Sequence, residues 1–365
     1  MFDFTLHHLR FTVVATTPIH LEPFKGSALR GAWHTYMQKT FCSAPPHART
    51  DPLHQEGCPV CYLTNRDTGP ETRRPFTLQP PLSRQTGYEP GEIFAFGFTL
   101  FGNAQTLFPY VLLGWHEVGE TLGLGHFIPT LRSRGRFRLL QVEAFDPHTD
   151  RRQIVYRREA GRMVEMPAVA VTAESITHRT ARLAEALAAG EGLLTLRLLT
   201  PLRLIHEERL MHRFAFVPFF QRLLERLYAT AAHFSAEAER FTPTALSEDV
   251  RQLLPVAQTV RVVTDRSHWW DVTGYSQRKG GPTHLGGLVG DVVLWAPDWK
   301  PLLPYLLWGE SIQLGKNVVK GCGWYGLVTQ GVSPSAPVRL DTVTTQADDG
   351  SGPSVADPAA APDGA

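Results

Sequence analysis

Phe108-Pro109-Tyr110-Val111-Leu112-Leu113-Gly114 returns in the second half of the chain as Leu303-Pro304-Tyr305-Leu306-Leu307-Trp308-Gly309, alike in residue type at all seven positions. A proline just inside the start of each apolar run predicts a helix in both places. Around the first copy, residues 10–17 and the alternating Ile93, Phe94, Phe96, Phe98, Leu100 read as strands, as do residues 137–145. Residues 26–41 carry Leu29, Trp33, Tyr36 or Met37, and Phe41 at helical spacing. Around the second copy the plan repeats. Strands are expected at 193–205, 259–264 and 285–295, a helix at 216–234, and a glycine-rich loop from 315 running into a last strand. Two passes through strand-helix-strand-strand-helix-strand, in outline, predict an α+β chain of two tandem ferredoxin-like domains, residues 1–165 and 166–330.

Two segments fall outside that plan. Residues 42–75 are rich in Pro, Gly, His and Cys without periodicity, which predicts an irregular insertion in the first domain. Residues 331–365 contain no aromatic and five Asp against one Arg. Such a stretch buries too little apolar surface to offset its ordering entropy, so a disordered acidic tail is expected.

The tail also hides the charge of the rest. The whole chain has 36 basic and 35 acidic side chains, net +1. The tail's −4 leaves 35 basic and 30 acidic groups, +5, on the other 330 residues. Of the basic residues 30 are Arg and 6 are Lys. That bias suits bidentate phosphate contacts and stacking on bases, and equally a base-composition bias of the coding sequence. Four cysteines are too few for a disulfide framework, and no secretory signal opens the chain, so a cytoplasmic location is expected. No apolar run approaches the roughly 18 to 20 residues of a membrane span, so no membrane partner is expected.

The densest chemistry lies in the run from Gly309 to Gly326. A phosphate-binding P-loop needs four residues between its first glycine and the Gly-Lys pair, then Ser or Thr; here five intervene before Gly315-Lys316, and Asn317 follows. Gly321, Gly323 and Gly326 have dinucleotide-fold spacing, but no helix follows to aim its amides at a pyrophosphate. His206-Glu207 with His212 is too widely spaced for a metalloprotease helix. Two readings of the loop remain. Its glycines bring backbone amides close to a polyanion flanked by Lys316 and Lys320, or they relieve a tight turn whose lysines are merely solvated.

The order of features from His268 to Leu327 resembles the C-terminal region of the precursor-crRNA-processing endoribonucleases of CRISPR systems, within the RAMP superfamily. The matching pieces are Tyr275-Ser276-Gln277-Arg278, Leu285-Gly286-Gly287-Leu288-Val289-Gly290, the Leu-Pro-Tyr-Leu-Leu helix, and Gly315-Lys316-x3-Lys320-Gly321-x-Gly323-Trp324-Tyr325. Upstream, Gly26-Ser27-Ala28-Leu29-Arg30-Gly31-Ala32 is similar to the first-helix entrance of RAMP proteins, and Leu199-Thr200-Pro201-Leu202-Arg203-Leu204 to the opening of the second domain. One departure stands out. Many relatives have His two residues before the Gly-Lys pair, and this chain has Gln313, which excludes proton transfer there.

The resemblance implies two RAMP (RRM-like) domains and metal-independent cleavage of CRISPR repeat RNA to mature crRNAs by the ribose 2′-hydroxyl, a step in antiviral defence. The alternative is a non-catalytic RNA-binding RAMP subunit of a CRISPR effector complex. Histidine suits the acid and base roles because its ordinary pKa is about 6.5. In the family the residue that moves the proton often lies on or just after the first helix. Here that region offers His34, Tyr36, His47 and His54, with His34 ranked first. Arg30, Arg278, Lys279, Lys316, Lys320, Gly321 and Gly323 are the expected RNA contacts. Cys42, Cys58 and Cys61 make half of a zinc pattern that His47 or His54 could complete, or else an unmetallated cluster.

Overall fold

A computed structural model describes residues 2–64, 74–159, 164–276 and 280–330. The tail expected to be disordered lies outside the described residues, as do Arg278 and Lys279. The helices are α1 (Gly26–Thr40), α2 (Pro52–Gly57), α3 (Pro59–Thr64), α4 (Phe108–Glu117), α5 (Ala173–Ala189), α6 (Phe216–Phe234), α7 (Pro243–Gln258) and α8 (Leu303–Ile312).

The first sheet runs Phe76–Gln79, Ile93–Phe101, Leu6–Ala15, Phe137–Phe145, Arg152–Arg157, each strand antiparallel to its neighbour. The second runs Arg261–Asp265, Gly287–Trp295, Leu193–Leu202, Tyr325–Val328, with His268–Trp270 also paired to Gly287–Trp295. In both sheets the first strand of the half is interior: Leu6–Ala15 lies between Ile93–Phe101 and Phe137–Phe145, with Arg152–Arg157 added beyond at the edge, and Leu193–Leu202 lies between Gly287–Trp295 and Tyr325–Val328. That is the ferredoxin-like order, twice.

Alternation decides which faces are buried. Leu9, Phe11, Val13 and Ala15 all point into the first core. Trp33 of α1 meets the rings of Phe76 and Phe98 at 5.4 and 5.1 Å, and Trp115 of α4 meets Phe96 at 4.4 Å. Aromatic rings this large dominate a core's energetics. The chain's first residues belong to the second core: Phe4 lies 4.6 Å from Trp308, and Phe2 stacks on Phe241 at 5.3 Å.

Several elements differ from expectation. Helices α2 and α3 form inside the segment read as irregular, and the strand Phe76–Gln79, not anticipated, follows directly after it, because runs of four to six residues carry too little periodicity to register. Helix α7 forms in spite of Pro255, with Thr242 capping its start by accepting from the Ala245 amide. Among the described residues, no helix is long and apolar enough to cross a membrane.

The halves meet through polar groups as well as rings. Gln313, buried and left-handed at φ 58°, donates from Nε2 to the Leu78 carbonyl at 2.9 Å. His148 lies 3.5 Å from the Ser311 hydroxyl and 4.0 Å from Glu310. Burial, with His8 and Arg179 nearby, pushes His148 down to about 3; burial, with His7 nearby, does the same to His8. Both rings are therefore neutral in the folded protein at pH 7.

A folded-state pKa below the ordinary 6.5 gives stability that is intact above pH 6.5 and is lost as the pH falls toward 3. Each ring contributes up to about 1.4 kcal/mol per pH unit across that window. The thermal midpoint should accordingly drop between pH 7 and pH 5, before most carboxylates titrate. A midpoint that stays flat over that interval would contradict the neutral, buried assignment.

Candidate nucleic-acid interface

Helix α1 has two working faces. Leu29, Trp33 and Met37 fill the first core, while Ser27, Arg30, His34 and Gln38, about one turn apart, look into a groove of about 1970 Å³. The groove runs between the halves, and the glycine-rich loop forms its opposite wall through Gly315 to Lys320.

The loop's path is held by backbone bonds. Lys316 N donates to the Arg203 carbonyl at 3.0 Å, Gly323 N to the Pro201 carbonyl at 3.0 Å, and Leu314 N to the Gly323 carbonyl at 2.9 Å. Asn317, Gly321 and Gly323 have left-handed φ of 65°, 84° and 72°. A Cβ at Gly323 would collide with the Leu314 carbonyl, and one at Gly321 with Pro80. A Cβ at Gly26, the first residue of α1, would collide with the Lys320 carbonyl. The positive end of the α1 dipole is thus pressed directly against the lysine-bearing bend.

Among the described residues, charge in the groove is one-sided. Arg30, Lys39, Arg49, Arg74 and Arg134 of the first half face Arg203, Arg222, Arg226, Lys316 and Lys320 of the second, against two carboxylates, Glu22 and Glu225. Some of these arginines have structural duties. Arg226 donates from Nη2 to the Ile312 carbonyl at 2.7 Å at the end of α8, and Arg203 to the Gly286 carbonyl at 3.0 Å. Where α1 meets the loop, burial and the neighbouring Arg74 depress the Arg30 guanidinium. Lys320, whose Nζ donates to the Tyr275 carbonyl at 3.4 Å, is depressed by burial, Arg30 and Arg74. Three like charges, each half-buried, repel one another there, and an anion seated among them relieves all three.

The expected residues divide. Arg30, His34, Lys316 and Lys320 converge on the groove. Gly321 and Gly323 are buried behind it and set the bend rather than line it. Tyr36 packs its ring 5.9 Å from Phe41, away from the groove. His47 is exposed at the start of a short turn, Ala48–Thr50, and is not among the lining residues. His54 joins the cysteines: its Nε2 lies 3.4 Å from Cys42 Sγ, and the donor atoms of Cys42, His54, Cys58 and Cys61 all fall within 4.8 Å of one another. These four side chains suit a structural zinc ion. Burial and contact with Cys42 push the Cys61 thiol up to about 12.

Sequence reading missed Arg49 and Arg74, which come from the aperiodic insertion, and His126, whose Nε2 lies 3.2 Å from Glu22 Oε1 at the groove's rim. Only the motif around Arg203 carried a signal that could have placed that residue here.

Residues 196–325 match the family model of the CRISPR-associated endoribonuclease Cas6, and residues 4–168 match a model described as an N-terminal domain. No curated protein matches the chain. Among solved structures, a partial Cas6-RT-Cas1–Cas2 complex aligns with TM-score 0.54 and 14% identity, covering 91% of this chain and 47% of that one. Thermus thermophilus Cas6 aligns with TM-score 0.49 and 14% identity, covering 89% and 99%. This chain spans about half the length of the first of these, and the likeness at such identity is one of fold.

Proposed function

We propose that this chain, whose residues 196–325 match the family model of the CRISPR-associated endoribonuclease Cas6, binds CRISPR repeat RNA in the groove between its halves and cuts it there to give mature crRNAs. The observation that carries the reading is the crowding of Arg30, Arg74 and Lys320 where α1 abuts the loop. A phosphodiester backbone neutralises that crowding along the whole groove, and because contacts of this kind release counterions, affinity should fall steeply with salt. A repeat stem-loop presents mainly shape and backbone, which such a surface can grip without reading many bases. The cut RNA then stays bound for hand-over to an effector complex.

The chemistry needs no metal. A base takes the proton of a ribose 2′-hydroxyl; the 2′ oxygen bonds to the adjacent phosphorus; the bond to the 5′ oxygen breaks, and an acid protonates that oxygen. The products are a 2′,3′-cyclic phosphate and a 5′-hydroxyl. Arg30 and Lys320 would hold the charge that builds on the phosphoryl oxygens. His34 is our candidate for proton transfer, since of His34, Tyr36, His47 and His54 it alone lines the groove.

The test is to mix the protein with repeat RNA, adding EDTA together with the RNA, and to analyse the ends formed. Cleavage with cyclic-phosphate ends is expected. Binding without a product would instead make the chain a non-catalytic RNA-binding RAMP subunit, and neither binding nor cleavage would end the proposal.

A further inference from the structure

We propose that Cys42, His54, Cys58 and Cys61 bind one zinc ion, and that this ion rivets the insertion to α1 and so fixes the arginine-bearing wall of the groove. Thiolates at about 2.3 Å and an imidazole nitrogen at about 2.0 Å from a tetrahedral centre lie about 3.8 Å (S to S) and about 3.5 Å (S to N) apart. Cys42 and Cys61 are 3.6 Å apart at sulfur, and Cys42 Sγ is 3.4 Å from His54 Nε2. None of the four cysteines is in a disulfide. Three sulfurs and one imidazole in a tetrahedron select zinc over harder divalent ions.

The local fold explains how the donors converge. Asp51 caps α2, accepting from the Leu53 amide at 2.8 Å, which sets His54 in the first turn. Cys58 closes α2 four residues later, and Cys61 lies in α3. Both helices have six residues, too short to persist in water without support. Their own buried apolar side chains are few, Val60 and Leu63 beside the cysteines. A metal closing four points of this segment supplies what its core lacks.

The rivet reaches the groove through two residues. Gln38 of α1 places its Nε2 3.9 Å from Cys61 Sγ, also donates to the Thr64 hydroxyl, and accepts from Arg49 Nη1 at 2.9 Å. Arg49 in turn donates from Nη2 to the Cys42 carbonyl at 3.2 Å and from Nε to the Ala44 carbonyl at 2.7 Å. Both Gln38 and Arg49 line the groove. Zinc content depends on the four ligands alone, whereas the effect on RNA rests on the function proposed above, so the two can fail separately.

Elemental analysis of full-length protein, purified without chelator and offered zinc, should find one zinc per chain. Replacing zinc with cobalt should give the visible bands of a tetrahedral thiolate site. Cys58→Ser and His54→Ala should each lose the metal and lower the thermal midpoint. In single-turnover assays they should weaken RNA binding severalfold while leaving the rate at saturating protein unchanged. If the variants do not fold, the cobalt spectrum of the wild-type chain decides the matter. A wild-type protein that holds no zinc when offered it, or variants that keep a full equivalent, overturns the site. Zinc-free protein with wild-type RNA affinity overturns the rivet.

Discussion

Replacing His34 with alanine should lower the single-turnover rate of repeat-RNA cleavage by about 10²- to 10⁴-fold while leaving RNA affinity near wild type, the loss expected when one proton-transfer group is removed. The position argues for this. His34 stands one turn beyond Arg30 on the groove face of α1, so a phosphate held at the Arg30 and Lys320 junction brings the neighbouring ribose toward the imidazole. Removing a phosphate contact has a different signature. Lys320→Gln should weaken binding and reduce the slope of log affinity against log salt by about 1, and it should slightly raise stability by relieving the repulsion with Arg30 and Arg74. A His34→Ala protein that cuts at the wild-type rate refutes the assignment. If the loss then appears in His126→Ala, proton transfer belongs to the other groove histidine.

What could be read from the sequence follows the length scale of the signal. The paired helices at Phe108 and Leu303, and the strands feeding them, are long and periodic, and both ferredoxin-like sheets follow from them. The four-residue strand Phe76–Gln79 and the six-residue helices α2 and α3 carry no period, and the groove wall bearing Arg49 comes from the same segment. Pairing is harder still to read, because Gly26 and Lys320 lie near opposite ends of the chain and meet only through the tertiary fold. Gly321 and Gly323 illustrate the limit of composition. Glycines next to lysines suggest a surface open to a polyanion, yet Gly321 and Gly323 are buried where Pro80 and Leu314 leave no room for a side chain, while Lys316 and Lys320 line the groove.

Two alanine substitutions in α1 should act in opposite directions. At Gly26 an added Cβ falls well inside 3.0 Å of the Lys320 carbonyl oxygen. Backbone is the obstacle there, so no rotamer change relieves it. The helix start or the loop must shift, at a cost of about 1–3 kcal/mol or more for overpacking. Because that contact also sets the spacing between α1 and Lys320, Gly26→Ala should weaken RNA binding as well as lower the thermal midpoint. At Gly31, in the interior of the same helix, an added Cβ meets nothing within 4 Å. Gly31→Ala should therefore raise stability by about 0.5–1 kcal/mol, the gain from restricting glycine's freedom in the unfolded chain. Denaturant titration of the two variants beside the wild type measures both signs. A Gly26→Ala protein as stable as the wild type, with unchanged RNA affinity, would mean that the first helix and the lysine-bearing bend are not in contact, and the groove they enclose would have a different shape.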